Sequence, residues 1–351
     1  MRFMITGGAG FIGSAVVRLL VGAGHNVANV DSLTYASSLT SLESVSGSPN
    51  YQLFEVDICD RTAVRTVFEA FAPERVIHLA AETHVDRSID DPAVFIDTNV
   101  LGTSVLLEEA TRLLRSLPSD RAEEFRFVHV STDEVFGSLG DSGHFTLTTA
   151  YRPRSPYAAS KAAADHLVRA WYHTFGLPTI ITNCTNNYGP YQFPEKLIPR
   201  MVIRALRGES LPVYGTGSNV REWLHVDDHA KALALVSQEG KAGATYLVGS
   251  GHESSNLDLV RLIAHYLDEL APATVSFTEK IEFVEDRPGH DHRYSIDSSQ
   301  FSKELGWHPE ASFESGIRNT VTWYLTNRAW WEPLVAARYG GERLGLQRGE
   351  A

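Results

Sequence analysis

The chain has 351 residues, of which 43% are hydrophobic, so it can bury a large core in one domain or two. Its formal net charge of −12 argues against a nucleic-acid backbone as the main partner, although a local Arg and Lys cluster can still bind a small anion. Two cysteines in a chain of this length do not form a disulfide framework, so we expect a cytoplasmic protein. No apolar run reaches the length of a membrane span, so we also expect a soluble protein with no membrane partner.

The first part of the chain alternates short apolar runs with helical patterns. Strands are predicted at residues 3–6, 27–31, 51–56, 76–81, 125–130 and 178–182, and helices at residues 11–21, 63–71, 94–114 and 160–175. This alternation predicts an α/β fold, a Rossmann-type doubly wound parallel sheet with helices on both faces.

The character of the chain changes after residue 187, where turn residues become frequent. Helical patterns recur at residues 197–207, 227–236 and 256–270. We therefore expect a dinucleotide-binding Rossmann domain over residues 1–187 and a smaller α/β substrate-binding lobe over residues 188–335. We also expect some crossing of the chain between these lobes, and a flexible tail over residues 336–351.

A glycine-rich turn joins the first predicted strand to the first predicted helix. Gly7, Gly10 and Gly13 permit a tight turn and close approach to a pyrophosphate, to which the helix start adds amide donors. Asp31 closes the second strand, where a carboxylate binds a ribose 2′-hydroxyl and repels a 2′-phosphate, so NAD is favoured over NADP. Asp57 follows the third strand and is either an adenine contact or a simple turn residue.

A phenol and an ammonium stand four residues apart at Tyr157 and Lys161, hence on one face of a helix. A nearby ammonium stabilises a phenolate, so we expect Lys161 to lower the pKa of Tyr157. Tyr157 could then act as a base on a sugar hydroxyl while a hydride leaves the same carbon. Such pairs are common by chance, and this one gains weight from its place downstream of a dinucleotide fold.

Two adjacent carboxyl groups, Asp133 and Glu134, follow a predicted buried strand. One of them can be protonated as an acid while the other is ionised as a base. A solvated acidic loop is the alternative, but the carboxyl edge of such a sheet is where ligands bind. Thr132, beside the pair, could donate a hydrogen bond to the reacting oxygen.

These motifs resemble the extended short-chain dehydrogenase/reductases and, within them, the dTDP-glucose 4,6-dehydratases. The similarity runs from about residue 1 to residue 333 and rests on residues 6–13, 79–88, 131–137, 155–161, 186–199, 221–229 and 286–291. The triplet at residues 132–134 is the most specific of them, since epimerases of the superfamily usually lack its acidic pair.

The resemblance implies a hydro-lyase that turns dTDP-glucose into dTDP-4-keto-6-deoxy-glucose with NAD that stays bound. Tyr157 would take the C4 hydroxyl proton as the C4 hydride passes to NAD. Glu134 would remove the C5 proton and Asp133 would protonate the departing C6 hydroxyl, after which the hydride returns to C6. The resemblance also implies a homodimer that pairs the helices predicted at residues 94–114 and 160–175.

The resemblance completes two sets of binding residues. Residues expected at the cofactor are Gly7, Gly10, Phe11, Ile12, Gly13, Asp31, Leu33, Thr34, Asp57, Ile58, Leu79, Ala80, Ala81, Thr83, Thr98, Tyr157, Lys161 and Asn187. Residues expected at the sugar nucleotide are Thr83, Thr132, Asn186, Lys196, Leu197, Pro212, Tyr214, Arg221, Asn256, Arg287 and His290. No metal is expected, because the His and Asp residues near position 290 match no compact zinc pattern.

Other functions stay open at this point. A different sugar-nucleotide 4,6-dehydratase or a C4 epimerase could act on a UDP-, GDP- or CDP-linked hexose, and one sequence does not reveal the base contacts. A non-catalytic NAD-binding scaffold is the alternative from another class. Such proteins typically lose the Tyr or the Lys, whereas Tyr157 and Lys161 are both present.

Overall fold

The computed structural model describes residues 1–286 and 289–338. Arg287, expected at the sugar nucleotide, lies outside the described residues, and so do residues 339–351 of the expected tail. The last helix, Arg328–Arg338, extends beyond residue 335, after which the tail is expected to begin.

The strands of the described residues form one large sheet and two small ones. They are β1 Arg2–Thr6, β2 Asn26–Asp31, β3 Tyr51–Glu55, β4 Arg75–His78, β5 Arg126–Thr132, β6 Thr179–Cys184, β7 Asn186–Tyr188, β8 Leu211–Tyr214, β9 Val220–His225, β10 Thr245–Val248, β11 Glu253–Ser255 and β12 Ile281–Val284. The large sheet has seven strands, and the small sheets have the orders β11-β9-β7 and β12-β8.

The α-helices flank these sheets. They are α1 Phe11–Gly22, α2 Arg61–Phe71, α3 Val85–Asp90, α4 Pro92–Ile96, α5 Thr103–Ser116, α6 Ser119–Glu124, α7 Pro156–Phe175, α8 Leu197–Leu206, α9 Val226–Glu239, α10 Asn256–Leu270, α11 Ser299–Leu305, α12 Phe313–Thr326 and α13 Arg328–Arg338. None of the helices within residues 1–286 and 289–338 is both long enough and apolar enough to cross a membrane.

The seven-stranded sheet is parallel throughout and has the order β10-β6-β5-β4-β1-β2-β3. The chain moves outward from β1 through β2 to β3, then crosses to β4 and continues the other way. The strand order therefore reverses between β1 and β4, and open α/β sheets bind ligands beside such a reversal. The predicted fold class is confirmed.

Helices cover both faces of this sheet. Phe3 and Ile5 of β1 lie in one buried cluster with α1 and α9, whereas the intervening Met4 lies in another with α2, α5 and α7. Side chains alternate between the two faces of a strand, so the two clusters are the cores on opposite sides. The sheet is fully covered, as parallel sheets require.

The chain crosses between the two lobes after β7. Helix α9 packs on α1, and β10 pairs with β6 at the edge of the large sheet, so residues 226–248 return to the Rossmann domain. The second lobe has its own core, built mainly from α8, α10, α12 and α13. The cleft between the lobes lies at the carboxyl ends of the central strands.

One predicted element differs in kind from the observed one. The helix predicted at residues 94–114 consists of α4, a π-helical segment Asp97–Gly102 and α5. A Cβ on Gly102 would lie 2.6 Å from the side chain of Ile58, so this segment packs closely against the loop after β3. The wider turn carries Asn99, whose amide donates to Ser160 Oγ (2.9 Å) and to the Glu82 carbonyl (3.0 Å).

Two predicted boundaries shift for local reasons. Strand β4 ends at His78 rather than at residue 81, because the amides of Leu79 and Ala80 donate to the Thr6 hydroxyl as the chain turns away. Helix α7 begins at Pro156 rather than at residue 160, since Ser155 Oγ accepts from the Ala158 amide at 3.1 Å and caps the helix.

Candidate active site

The glycine turn between β1 and α1 leaves no room for side chains. Gly7 has a φ of +72°, and a Cβ on it would lie 2.7 Å from the backbone nitrogen of Ala80. A Cβ on Gly13 would lie 2.0 Å from the Gly7 carbonyl oxygen. The glycines therefore bring the start of α1 against the end of β1, which is the geometry of a pyrophosphate turn.

Asp31 at the end of β2 is a buried carboxylate that organises the adjacent loop. It accepts hydrogen bonds from the Ala9 amide (2.9 Å), the Leu33 amide (2.8 Å) and the Ser37 hydroxyl (2.8 Å). Leu33, which is expected at the cofactor, is not among the described lining residues of the cleft. Its backbone, at a φ of +51°, instead holds Asp31 in place.

A cleft of about 470 Å³ runs along the carboxyl ends of the central strands. Of the residues expected at the cofactor, it is lined by Gly7, Gly10, Phe11, Ile12, Gly13, Asp31, Thr34, Asp57, Ile58, Leu79, Ala80, Ala81, Thr83, Thr98, Tyr157, Lys161 and Asn187. Thr132, Asp133 and Glu134 line the same cleft. The fold thus brings together, in one place, residues from eight separate stretches of the sequence.

Some lining residues were not predicted. Ser32, Ser37, Cys184, Phe193 and Glu195 also face the cleft. Cys184 is the last residue of β6, so its position at the end of a strand could have indicated from the sequence that it faces the cleft. Glu195 gives no such signal, because only the folded chain brings the loop after β7 to this cleft.

The Thr132, Asp133 and Glu134 triplet marks the end of β5. Thr132 Oγ1 accepts from the Glu134 amide at 3.2 Å and lies 3.3 Å from Asp133 Oδ1. A short 3₁₀ turn, Asp133–Phe136, then carries the two carboxyl groups into the cleft. Thr132 therefore fixes the directions of both acids.

Asp133 is the more buried of the two acids, with 1% of its surface exposed. Its Oδ2 has no hydrogen-bond partner within the part of the chain that the structure describes. Burial, together with the nearby Glu134 and Glu222, raises the pKa of Asp133 well above its ordinary range. This shift favours the protonated carboxyl, which is the form that a proton donor in this position needs.

Tyr157 and Lys161 lie on one face of α7, as predicted, but their coupling differs from the expectation. Burial, followed by the Glu134 carboxylate, raises the pKa of Tyr157 well above 10. Lys161 Nζ donates to the Val130 carbonyl at 2.8 Å. The expectation that Lys161 lowers the pKa of Tyr157 is therefore wrong for this arrangement, because burial dominates and the ammonium is bound elsewhere.

Lys161 is itself buried, with 4% of its surface exposed. Burial lowers the pKa of Lys161 to about 8, while Asp165 and Cys184 oppose the change. The side chain therefore stays mostly cationic at pH 7 and loses its charge in the mildly alkaline range.

A second cavity of about 200 Å³ opens between the lobes. Of the residues expected at the sugar nucleotide, it is lined by Thr83, Asn186, Lys196, Leu197, Pro212, Tyr214, Arg221, Asn256 and His290. Thr132, expected in this set too, lines the larger cleft instead. Arg200, Trp223 and Tyr294 are among the further lining residues, and they were not predicted at the sugar nucleotide.

Three cations surround this second cavity: Lys196, Arg200 and Arg221. Arg221 is 5% exposed, stacks over the Tyr294 ring at 4.2 Å and donates to the Asp291 carbonyl at 2.9 Å. Lys196 Nζ donates to the Thr83 carbonyl at 3.1 Å. These contacts hold Lys196 and Arg221 in position, where an anionic diphosphate can bind between them.

The two cavities meet at a common wall. Thr83, Glu134, Asn186, Glu195 and Lys196 line both of them. Ligands in the two cavities can therefore both contact the Glu134 carboxylate. The larger cleft can hold a long anionic ligand at the glycine turn, and the smaller cavity can hold a second anionic ligand. Asp133 and Glu134 supply an acid and a base beside them. No group of three His, Cys, Asp or Glu side chains that could hold a metal is present among residues 1–286 and 289–338.

Comparison with known proteins decides the family. The sequence model of the family described as GDP-mannose 4,6 dehydratase matches residues 4–320. A probable dTDP-glucose 4,6-dehydratase of Sinorhizobium fredii is 55% identical, with 99% of each chain covered. The chain belongs to the dTDP-glucose 4,6-dehydratase family. The predicted family and the predicted dehydratase function are confirmed.

Two further members of this family are similarly close. The dTDP-glucose 4,6-dehydratase of Salmonella typhimurium is 53% identical, with 97% of each chain covered. The crystal structure of the Streptomyces venezuelae dTDP-glucose 4,6-dehydratase, solved with NAD and a second ligand bound, has a TM-score of 0.87 and 46% identity. It covers 95% of this chain and 100% of its own. These similarities do not favour the C4 epimerase alternative.

Proposed function

We propose that this dehydratase converts dTDP-glucose into dTDP-4-keto-6-deoxy-glucose, using NAD that stays bound through each turnover. The observation that carries the proposal is that Asp133, whose burial favours the protonated carboxyl, adjoins Glu134 on the wall shared by both cavities. An elimination of water needs such an acid and base on one substrate.

The larger cleft fits NAD. Gly7, Gly10 and Gly13 would hold the pyrophosphate at the start of α1, and the Asp31 carboxylate would bind the adenosine ribose and repel a 2′-phosphate. Lys161 and Tyr157 would lie at the nicotinamide end. The bound cofactor supplies a hydride acceptor, later a hydride donor, and a positive charge that favours a phenolate beside it.

Tyr157 acts at C4 of the sugar. Its phenolate would take the proton of the C4 hydroxyl while that carbon loses its hydride, which leaves a 4-ketone and a neutral phenol. The buried Lys161 ammonium keeps a positive charge in the cleft, bound to the Val130 carbonyl. Thr132, at the end of β5, lines the same cleft and is positioned to hydrogen-bond the C4 oxygen.

The acidic pair acts at C5 and C6. The 4-ketone makes the C5 proton acidic, and Glu134 removes it. Asp133 donates its proton to the C6 hydroxyl, which leaves as water. The bound cofactor would then supply the hydride to C6, and Glu134 would return its proton to C5, so that the reaction needs no external oxidant or reductant.

The diphosphate of the substrate lies among Lys196, Arg200 and Arg221 in the smaller cavity. A guanidinium can bind phosphate oxygens in a bidentate manner, which suits Arg221 because Tyr294 already fixes its plane. Asn186, Asn256 and His290 supply polar groups around these cations. The thymine base is assigned from the names of the relatives that match this chain over nearly its whole length.

The proposal is tested by mass spectrometry of the product. The purified protein is incubated with dTDP-glucose and separately with UDP-glucose, without added nicotinamide. Loss of one water from the dTDP sugar alone is the expected result. Loss from the UDP sugar alone would contradict the assigned nucleotide while keeping the reaction, and no loss from either would contradict the proposed function.

Gly13→Ala is expected to lower the NAD content of the purified protein at least about tenfold. The added methyl group would meet the Gly7 carbonyl at 2.0 Å and push α1 away from the turn. The measurement is chromatography of NAD released by denaturation. Gly22→Ala, in the same helix with nothing within 4 Å of its Cβ, is the matched control. Equal NAD content in both variants would contradict the cofactor assignment.

We also propose that two copies pair through the helical surface that α4, the π-helical segment and α7 form. Ile96 and Leu101 expose 57% and 50% of their surfaces along one short stretch. Such a run of large apolar side chains on helices is typical of an interface between copies.

Ile96→Glu together with Leu101→Glu is therefore expected to convert a dimer into a monomer, because two buried charges would face their own copies across the interface. Light scattering coupled to size-exclusion chromatography gives the mass of each form. Val275→Glu changes a side chain that is 47% exposed elsewhere on the surface and is the control. A dimer that persists in the double variant would contradict the assigned surface.

The cytoplasm is the proposed location. Cys59 and Cys184 are both free thiols, which suits a reducing compartment. The net charge of −12 gives no support to a nucleic-acid partner.

A further inference from the structure

The catalytic face of α7 continues beyond Lys161 to a third ionisable group, Asp165. Tyr157, Lys161 and Asp165 follow one another at four-residue spacing, so they share one face of the helix. Asp165 has 0% of its surface exposed and lines neither cavity. The proposed reaction uses the first two groups and gives the third no role.

Asp165 is held as an anion by donors from three parts of the fold. Its Oδ2 accepts from the Tyr151 hydroxyl (2.7 Å), the Ser131 hydroxyl (3.0 Å) and the Asn183 amide (3.3 Å). Although burial acts in the opposite direction, the contact with His129 and these donors keep the pKa of Asp165 below its ordinary value. A charged carboxylate in the core needs a cation near it, since an unpaired buried charge is strongly unfavourable.

The cation that faces this carboxylate is Lys161, and one imidazole lies between them. His129 Nε2 is 3.3 Å from Asp165 Oδ1 and 3.5 Å from Lys161 Nζ. Burial lowers the pKa of His129 to about 4, so the ring is neutral at pH 7. The buried site therefore contains one ammonium and one carboxylate on either side of a neutral ring. Lys161 can donate to the ring nitrogen, whereas Asp165 Oδ1 has no hydrogen-bond partner among the described residues.

The other ionisable groups around this site come from several elements. The His78 ring on β4 lies 5.2 Å from that of His129, Cys184 on β6 lies beside Lys161, and Arg169 on α7 donates to the Tyr151 hydroxyl. Of the influences on the Lys161 ammonium, Asp165 is the largest that favours the charged form. Cys184 acts in the same direction to a smaller extent, and burial opposes both.

We infer that Asp165 is a positioning residue of the reaction: acting across the His129 ring, its carboxylate is the counter-charge that keeps the Lys161 ammonium in the cofactor cleft. The inference depends on the proposed function only because the first test below measures enzyme activity. Loss of the carboxylate charge makes Lys161 release its proton at a lower pH and frees the side chain from its place beside the nicotinamide end.

Asp165→Asn tests this role, with Tyr151→Phe as the matched variant. Tyr151→Phe removes one hydrogen bond to the carboxyl group and keeps its charge, whereas Asp165→Asn removes the charge and keeps an oxygen that can accept the same hydrogen bonds. The pH profile of kcat is measured for both, after water loss by the wild-type protein has been established. The alkaline limb of the Asp165→Asn profile is expected to move to lower pH by about one unit or more, so that activity is lost mainly above neutral pH. The limb of Tyr151→Phe is expected to stay in place.

The inference would be overturned if Asp165→Asn lowered kcat equally at every pH and left the alkaline limb in place. That result would mean that Asp165 has a purely structural role. If that variant does not fold, the reciprocal measurement uses Lys161→Met with ¹³C-labelled aspartate side chains. Because coupling between two titrating groups is reciprocal, loss of the ammonium is expected to raise the pKa of Asp165 by a similar amount. An unchanged Asp165 titration in Lys161→Met would also overturn the inference. Absence of water loss by the wild-type protein would instead count against the proposed function, and the NMR titration would still decide the role of Asp165.

Discussion

Glu134→Gln is expected to stop the loss of water from the sugar while the first hydride transfer continues. The amide keeps the size of the side chain but cannot take the C5 proton, so turnover should fall by at least about 100-fold. Tyr157 and the cofactor are unchanged, so C4 is still oxidised and reduced cofactor accumulates in the site. Stopped-flow absorbance follows the reduced cofactor, and mass spectrometry of the quenched sugar nucleotide follows water loss.

Two comparisons make the Glu134→Gln result specific. Glu239→Gln changes an exposed carboxyl at the end of α9 and should leave turnover at the wild-type level. Asp133→Asn removes the acid rather than the base, and it should likewise accumulate reduced cofactor, because the C6 hydroxyl then has no proton donor. Turnover of Glu134→Gln at the wild-type rate would contradict the role of this carboxylate as the base.

Tyr157→Phe is expected to block the reaction one step earlier, before any hydride moves. Without the phenol, nothing accepts the C4 hydroxyl proton, and turnover should fall by about 1,000-fold. No reduced cofactor should accumulate, in contrast to Glu134→Gln. Stopped-flow absorbance under single-turnover conditions distinguishes the two variants.

The pH dependence of the wild-type protein gives a second view of Tyr157. Burial and Glu134 raise its pKa, so the reactive phenolate becomes more populated as pH rises. The rate should therefore rise with pH until Lys161 loses its charge near pH 8, and that loss forms the alkaline limb of the profile. Tyr172→Phe, on the same helix, should retain this profile.

In the stopped-flow experiment, accumulation of reduced cofactor in Tyr157→Phe at the wild-type rate would contradict the role of Tyr157 as the base.

Most of the cofactor cleft could be predicted from the sequence because its residues follow strand ends. The glycine turn comes directly after β1, Asp31 closes β2, and Thr132 closes β5. In a parallel sheet these ends meet at one edge, so chain order alone brings them together. The same reasoning located the Tyr157 and Lys161 pair, because four-residue spacing on a helix fixes a shared face.

The remaining features depend on contacts that are distant in the sequence. Glu195 reaches the shared wall of the two cavities only because the chain crosses between the lobes after β7. The π-helical segment Asp97–Gly102 depends on how closely Gly102 approaches Ile58, which periodicity does not reveal. The pKa of Tyr157 depends on its burial and on where Lys161 donates its hydrogen bond, and spacing determines neither.

The central claim is that the hydride taken from C4 is the one returned to C6 on the same sugar. The most direct test supplies dTDP-glucose that carries deuterium at C4, without added nicotinamide, and locates the label in the product by NMR and mass spectrometry. The account predicts deuterium at C6 of the 4-keto-6-deoxy sugar and retention of the label within each molecule. A product with no deuterium at C6, or with label exchanged between sugar molecules, would contradict it.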